Sequence, residues 1–448
     1  MHGLRRGDRR AAHLRRVNRP GPGGQLSESF YDAPDSLGRN AEPADVSQST
    51  SPTKSDLPQP LAAVDFSDAE CAAIRVALLG WYRLYRRELP WRDIQDPYLI
   101  WVSEIMLQQT QVATVVAYYQ RWAQRFPTVE ALATASLDEV LEQWAGLGYY
   151  RRARFLHESS KTVLEEMGGR LPRSAGQLRK LKGVGPYTAG AIASIAFGQP
   201  EPLVDGNVER VLARLRAVRG DAKSGAFQKL WWRLAARVLD PEEPGDFNQA
   251  LMELGATVCT PQNPNCEDCP VRGVCHASRT ESPTDFPSPA KRTRQRPVRV
   301  RSLVVARELR AQNDGALTRE FLLLKRPLDG IWGGLWECPS VEVSARAADS
   351  KVFGALQDFL ASAAGLMLED PTQLQRIGEF VHHFSHIKMQ VEADYWDASG
   401  QKNAVGAPAA RLHDASARPY KWVPEDALDA VAMSAAMRKI LALYRARD

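Results

Sequence analysis

The sequence predicts a mainly α-helical region followed by a smaller α+β region. From Asp68 onward apolar residues recur at helical spacing, with capping residues and Pro or Gly between the periods. Past a stretch rich in Pro, Ser and Arg at 281–297, the pattern changes to short apolar runs and period-two alternation. A chain of 448 residues, 44% hydrophobic and 25% charged, is also long enough for at least two cores. The net charge is only +5, so affinity for nucleic acid has to come from local patches. No apolar run reaches the roughly eighteen residues of a membrane span.

Residues 1–62 read as a disordered basic tail outside the fold. Arginines come first (Arg5, Arg6, Arg9, Arg10, Arg15, Arg16, Arg19), then Ser, Pro, Gly and Asp, a composition that suits an organelle transit peptide or a bacterial extension equally. No secretory apolar segment stands out, so a reducing compartment is expected: cytoplasm and nucleoid in a bacterium, nucleus or mitochondrion in a eukaryote.

The helical region is placed at 63–280. Its first helix, Asp68 to Tyr85, carries Ala72, Val76, Leu79 and Leu84 at helical spacing and is broken by Leu89-Pro90-Trp91-Arg92. Asp96 and Pro97 then supply an N-cap and a first-turn Pro for a helix from Tyr98 to Val112. Glu104 lies in an otherwise apolar sector of that helix. Buried, it would hold a proton near neutral pH and could act as a general acid; at the rim it would reach solvent or pair with Arg92 or Arg151, and the local pattern leaves both open. Further helices are expected at Val115–Phe126, Thr128–Leu132, Leu137–Trp144, Ala153–Met167 and Phe227–Val238.

The segment 174–198 reads as helix, hairpin, helix. Ser174 and Gln177 suit a capping box, Gly183-Val184-Gly185 a tight turn, and Pro186 opens a small-residue helix from Tyr187 to Phe197. Free amides at such a turn suit a DNA phosphate and carry no sequence preference. Asp205 follows between apolar residues and Gly206, where it serves either as a plain helix cap or as a reactive carboxylate. This order of hairpin and lone Asp resembles the helix-hairpin-helix superfamily of DNA glycosylases.

Longer stretches narrow the resemblance. Trp91-Arg92, Ser103 through Val112, and Gly146 through Arg154 are similar to the adenine DNA glycosylases, from about Asp65 to the C-terminus. What this implies is removal of adenine mispaired with 8-oxoguanine or guanine in duplex DNA, by base excision repair. Cleaving an N-glycosidic bond needs a proton for the purine and a negative charge beside the sugar as it becomes an oxocarbenium ion. The resemblance gives the first role to Glu104 and the second to Asp205, which it also implies can form a transient covalent sugar adduct. Adenine has to leave the stack to be reached. In such a complex Trp91 and Arg92 line the pocket with Glu104, and Gln109 and Tyr149, with Thr110 and Leu147 beside them, enter the duplex. Gly183 and Gly185 meet the backbone. Strand-cutting relatives carry a Lys where Tyr187 stands; a phenol forms no Schiff base, so a monofunctional enzyme is expected, with Tyr187 and Asn207 positioning Asp205 and the sugar. Lys182, where the family commonly has Pro, reads as a phosphate-contact or solvent-exposed residue.

Cys259, Cys266, Cys269 and Cys275 fall in one short loop rich in Pro and Asn, a chelating set for zinc or an iron-sulfur cluster. The resemblance implies a 4Fe-4S cluster. Cys71 and Cys338 remain as ordinary buried thiols.

After the linker, the segment 298–448 shows expected strands at Val298–Ala306, Glu320–Leu324, Arg376–Val381 and Met389–Trp396, and helices at Val352–Ala364 and Met433–Tyr444. Phe321 through Pro327, then Gly330-Ile-Trp-Gly-Gly-Leu-Trp-Glu337, resemble the opening of a Nudix domain. The helix that follows offers only Gln357 and Asp358 where a pyrophosphatase needs paired glutamates for magnesium. The resemblance therefore implies a Nudix-like module reading 8-oxoguanine, with Phe384, Ser385 and His386 at the damaged base. A monomer is implied, with a sliding clamp or an abasic endonuclease as possible partners and no membrane. Two other readings compete: a bifunctional glycosylase/lyase acting on oxidised pyrimidines, against which stands the absent hairpin Lys, and a silent DNA-binding or Nudix hydrolase protein.

Overall fold

The computed structural model describes residues 61–280, 282–288, 294–310, 317–344, 346–384, 386–401 and 418–447. The tail as far as residue 60, linker residues 281 and 289–293, and Ser385 lie outside them.

Helix α1 (Asp68–Tyr85) starts on a full capping box: Ser67 Oγ accepts from Glu70 N at 3.3 Å, and Glu70 Oε2 accepts from Ser67 N at 2.8 Å. Asp96 caps α2 (Pro97–Leu107), accepting from Tyr98 N at 2.8 Å. This helix stops short of the predicted Val112, because Gln109 takes a left-handed φ of 56° and α3 (Val112–Arg125) starts afresh. Next come α4 (Val129–Thr134), α5 (Leu137–Trp144), α6 (Arg151–Glu166), α7 (Ala175–Leu178), α8 (Pro186–Phe197), α9 (Gly206–Leu215), α10 (Gly225–Val238) and α11 (Pro244–Thr257). Helix α11 was not among the helices expected from the sequence, and it opens on Pro244-Gly245. Pro is tolerated in the first turn, and a Cβ on Gly245 would stand 2.8 Å from Ser194 O, so only Gly lets α11 lie this close to α8.

These helices enclose two cores. One holds Trp101, Trp122 and Trp144 with residues of α2 to α8; the other holds Tyr82, Trp231 and Phe247 with residues of α1 and α8 to α11. The small-residue helix α8 belongs to both, giving Ala189, Ile192 and Ala193 to the first and Ala191 to the second. Its lack of bulk is required: a Cβ on Gly190 would fall 2.2 Å from Pro202 O. The seam between the two cores thus brings together α2, the start of α8 and the start of α9.

The C-terminal region is α+β. Its strands are β1 (Arg296–Arg310), β2 (Leu317–Lys325), β3 (Trp336–Glu337), β4 (Ser340–Val343), β5 (Gln375–His383), β6 (Ile387–Asp397) and β7 (Tyr420–Pro424), with helices α12 (Asp349–Ala364) and α13 (Ala435–Arg445). The sheet runs β3-β2-β1-β6-β5, with β4 also pairing β1 and β7 pairing β2; β1 and β6 are parallel, Val300 opposite Val391. Both faces are covered. Val304, Ala306, Phe321 and Leu323 pack on the side of α13, and Leu303, Val305, Leu322 and Leu324 on the side of α12, which is why these strands read as unbroken apolar runs.

Two boundaries differ from the sequence reading. Leu61 and Ala62, expected in the tail, form a short 3-10 turn with Ala63, and Ala62 is buried. At the other end of the helical region, linker residues pack onto it. Phe286 is buried and its carbonyl accepts from Arg214 Nε at 3.1 Å, Asp285 pairs with Arg219 at 2.8 Å, and Ser288 Oγ accepts from Gly220 N at 3.0 Å. The two regions touch where Lys325 pairs with Asp138, Arg154 donates to Leu328 O, and Trp332 and Leu335 pack on the α2–α8 core.

Candidate active site

Glu104 is buried, and the helix around it is apolar on nearly every side, with Ile100, Trp101, Val102, Ile105 and Met106 all buried too. Burial pushes its carboxyl up to about 7; the Tyr187 hydroxyl works against that rise and the nearby Asp205 charge adds to it. The Tyr187 hydroxyl donates to Glu104 Oε2 at 2.7 Å and also lies 3.3 Å from Met252 Sδ. Of the partners the sequence offered, neither Arg92 nor Arg151 takes Glu104. Arg151 is exposed over the Phe155 ring. Arg92 donates to Glu253 Oε2 at 2.7 Å and to Arg87 O at 2.6 Å, and lies over the Tyr82 ring.

Asp205 is the N-cap of α9. Its Oδ1 accepts from Val208 N at 2.7 Å and its Oδ2 from Asn207 Nδ2 at 2.8 Å. Burial raises the carboxyl above its usual value, opposed by those donors. Asn207 is held in turn by Arg210, whose Nη2 donates to Asn207 Oδ1 at 2.9 Å and to Gly255 O at 2.8 Å. Arg210 Nε reaches on to Cys259 O at 2.8 Å, so one guanidinium joins the Asp205 loop to the cysteine loop. The charges of Glu104 and Asp205 both bear on Tyr187, holding its hydroxyl, already raised by burial, well above the ordinary range. Two carboxyls and a phenol thus share one seam, one carboxyl dry and the other fixed by donors.

Ser174 Oγ accepts from Gln177 N at 3.4 Å to start α7. In the hairpin only Gly183 uses the left-handed region, φ 80°, and a Cβ there would stand 2.8 Å from Phe155 Cβ; Gly185 is extended. Both are exposed, as is Lys182, which pairs with Glu158 at 2.7 Å. The turn leaves the first amides of α8 without a side-chain cap, free to meet an anion.

Gln109 and Tyr149 share an unusual property. Each is a non-Gly residue in the left-handed region, φ 56° and 47°, and each is exposed, strain of the kind that concentrates at working sites. Thr110 Oγ1 accepts from Arg152 at 3.1 Å, and Leu147 is buried with its carbonyl on the same guanidinium. Trp91 is buried edge-on to Tyr119 at 5.5 Å. In the C-terminal region Phe384 packs against Trp332 and His382 at 5.3 and 4.8 Å, and His386 is exposed. The backbone around them is tied to the end of the linker, with Phe384 O accepting from Gln295 Nε2 at 2.6 Å and His386 O from Arg296 N at 2.8 Å.

Cys259, Cys266, Cys269 and Cys275 line one cavity with Arg214, Pro264 and Arg272. Burial drives the Cys269 thiol up to about 12, with the other three cysteines adding to the rise. Four cysteines on one cavity are the donor set that a polynuclear iron-sulfur cluster takes. Arg214 Nη1 lies 3.3 Å from Cys259 Sγ, a donor to a ligand sulfur.

Sequence reasoning missed Glu253 and the parts played by Arg152 and Arg210. Glu253 in Leu251-Met-Glu-Leu254 carries the same sign as Glu104, an acid inside an apolar run.

The chain matches the HhH-GPD superfamily of base excision DNA repair proteins over residues 102–236, the iron-sulfur binding domain of endonuclease III over 259–275, and the NUDIX domain over 314–443. It is 40% identical over 432 residues to the adenine DNA glycosylase of Homo sapiens, covering 85% of this chain and 75% of that protein. To the Mus musculus adenine DNA glycosylase it is 40% identical, covering 85% and 79%, and to that of Schizosaccharomyces pombe 35% identical, covering 77% and 86%. A solved thermostable thymine-DNA glycosylase is 29% identical and aligns with a TM-score of 0.44 over 47% of this chain and 98% of its own.

Proposed function

The chain belongs to the adenine DNA glycosylases, iron-sulfur enzymes of base excision repair, and from that premise we propose that it removes adenine opposite 8-oxoguanine or guanine without cutting the strand. The observation that carries this reading is the buried Tyr187–Glu104 hydrogen bond in the same seam as Asp205.

The adenine is extruded from the stack into that seam. Glu104, protonated because burial holds its carboxyl at about 7, gives its proton to a purine ring nitrogen as the glycosidic bond breaks. The sugar is left an oxocarbenium ion, and Asp205, kept in place by Val208 N and Asn207, meets it with negative charge. Water completes the abasic sugar and adenine leaves. Tyr187 has no amine, so no Schiff base forms and the strand stays whole. Cys259, Cys266, Cys269 and Cys275 would hold the 4Fe-4S cluster, which when bound would tie their thiolates together through its irons and so order their loop. Gln109 and Tyr149 fill the gap in the duplex, with Thr110 and Leu147 supporting them, and Gly183 and Gly185 take the backbone phosphate. Phe384, Ser385 and His386 read the base opposite. The abasic product calls for an endonuclease that acts on abasic sites as the next enzyme.

The test is a duplex with one 8-oxoguanine:adenine pair, incubated with the protein and developed with and without alkali. Breaks at the adenine after alkali alone are expected; breaks without alkali would show a lyase and remove the role given to Tyr187. His386→Ala should narrow the preference for 8-oxoguanine over guanine while adenine removal persists, and an unchanged preference would take the C-terminal region out of base reading.

A further inference from the structure

Arg152 stands in the first turn of α6, and its guanidinium serves two loops at once. Nη1 donates to Ile105 O at 2.9 Å, to Met106 O at 3.0 Å and to Gln108 O. Nη2 donates to Thr110 Oγ1 at 3.1 Å, Leu147 O at 3.3 Å and Gly148 O at 3.2 Å. The rings of Trp144 and Tyr149 lie 5.2 and 5.5 Å from it. Among the described residues no carboxylate stands within ion-pair distance, and burial pushes the guanidinium down to about 10. A buried cation without an acid is a costly thing to keep in a fold. The last carbonyls of α2, the negative end of its dipole, offset part of that cost.

The acceptors point to what it is kept for. Gln108 O belongs to the peptide immediately before Gln109, and Gly148 O to the peptide immediately before Tyr149. The φ of each strained residue turns about the bond that follows that peptide, so Arg152 clamps both planes from which Gln109 and Tyr149 hang. We propose that Arg152 is a positioning residue for strand opening, fixing the spacing between Gln109 and Tyr149 so that both enter the duplex together as the adenine leaves. This rests on the reading of those two residues as the groups that fill the gap. The planar fork is essential to it: a Lys ammonium is a single point and can serve one loop or the other.

The test is single-turnover excision at an 8-oxoguanine:adenine pair by Arg152→Lys, Gln109→Ala, Tyr149→Ala and the double variants, with melting temperatures alongside. A misplacement of this kind costs about tenfold to a hundredfold in rate. Arg152→Lys should lose that much while still folding, and adding Gln109→Ala or Tyr149→Ala should lose little more, because both changes remove one unit. A 2-aminopurine set beside the target adenine should lose its unstacking fluorescence with Arg152→Lys, which a merely structural defect would leave intact in the folded fraction. Losses that multiply, or an unchanged fluorescence, overturn the inference while the gap-filling reading stands. If Gln109→Ala and Tyr149→Ala themselves lose nothing, that reading fails and the inference with it. Should Arg152→Lys not fold, Thr110→Val, which removes only the side-chain acceptor of Nη2, is set against Tyr149→Ala in the same cycle: coupled losses support the clamp and independent ones overturn it.

Discussion

The Tyr187 hydroxyl and the Glu104 carboxyl, 83 positions apart in the chain, share a hydrogen bond of 2.7 Å where α8 meets α2. The phenol steadies the ionised form of the acid and so restrains a carboxyl that burial lifts to about 7.

Removing that donor should move the pH profile. In Tyr187→Phe the carboxyl rises further, so the protonated acid persists to higher pH and the descending limb of excision shifts upward. Single-turnover rates between pH 6 and pH 9 check this; a limb that stays in place would mean that the phenol does not act on Glu104.

Glu104→Gln separates chemistry from stability. Below the ordinary value of 4.5 the carboxyl is protonated both folded and unfolded; between 4.5 and about 7 the unfolded chain sheds a proton that the folded one keeps, so stability falls as pH rises. Above that window the native acid costs on the order of 1–3 kcal/mol. The variant should therefore melt higher than the native protein at pH 8, with the gap closing towards pH 5, while excision drops about 10²–10⁴-fold. An equal gap at both pH values would contradict the burial argument.

Asp205→Asn should bind the mismatch as tightly as the native protein and excise about 10²–10³-fold more slowly, the scale on which fixed transition-state charge is measured. Duplex binding at constant salt and single-turnover rates separate the two; a weakened Kd with an intact rate would reverse the assignment.

Glu253 anchors Arg87 and Arg92 at 2.7 Å each, and those guanidinium groups hold its carboxyl down at about 2 against the opposing effect of burial. Glu253→Ala leaves a buried cation at Arg92 and should cost about 3–5 kcal/mol by denaturant unfolding. The sign for pH runs opposite to that of Glu104: this stabilisation is present above 4.5 and is lost as pH falls towards about 2.

Arg210→Gln cuts the link from Asn207 to Cys259 O. Cluster absorbance and excision should then fall together. Absorbance retained at full occupancy with a slow rate would place the effect at Asp205 alone, and both retained would dismiss the link.

Much of this was written in local sequence. Ser67 and Glu70 fix the start of α1, and Pro186 with Gly183 fixes the hairpin, because caps and turns are decided by neighbouring residues. The end of α2 was not legible: Gln108 to Gln111 include no Pro or Gly to mark a stop, and the left-handed turn at Gln109 sits where Arg152, from another helix, grips the preceding carbonyl. Nor was α11, whose Pro and Gly serve a close approach to α8. The partners of Glu104 and Arg92 lie on other helices, so tertiary packing chose Tyr187 and Glu253 over the nearer candidates. The parallel pairing of β1 with β6 likewise has no signature in either strand alone.

Asp205 caps α9 with the same carboxylate that the proposed chemistry calls on. Asn caps a helix as well as Asp does. A cell carrying that one exchange would make a protein that no quality-control protease has reason to remove, since such surveillance acts on unfolded chains. It would seek out lesions, sit on them, and shield them from the functional copies around it.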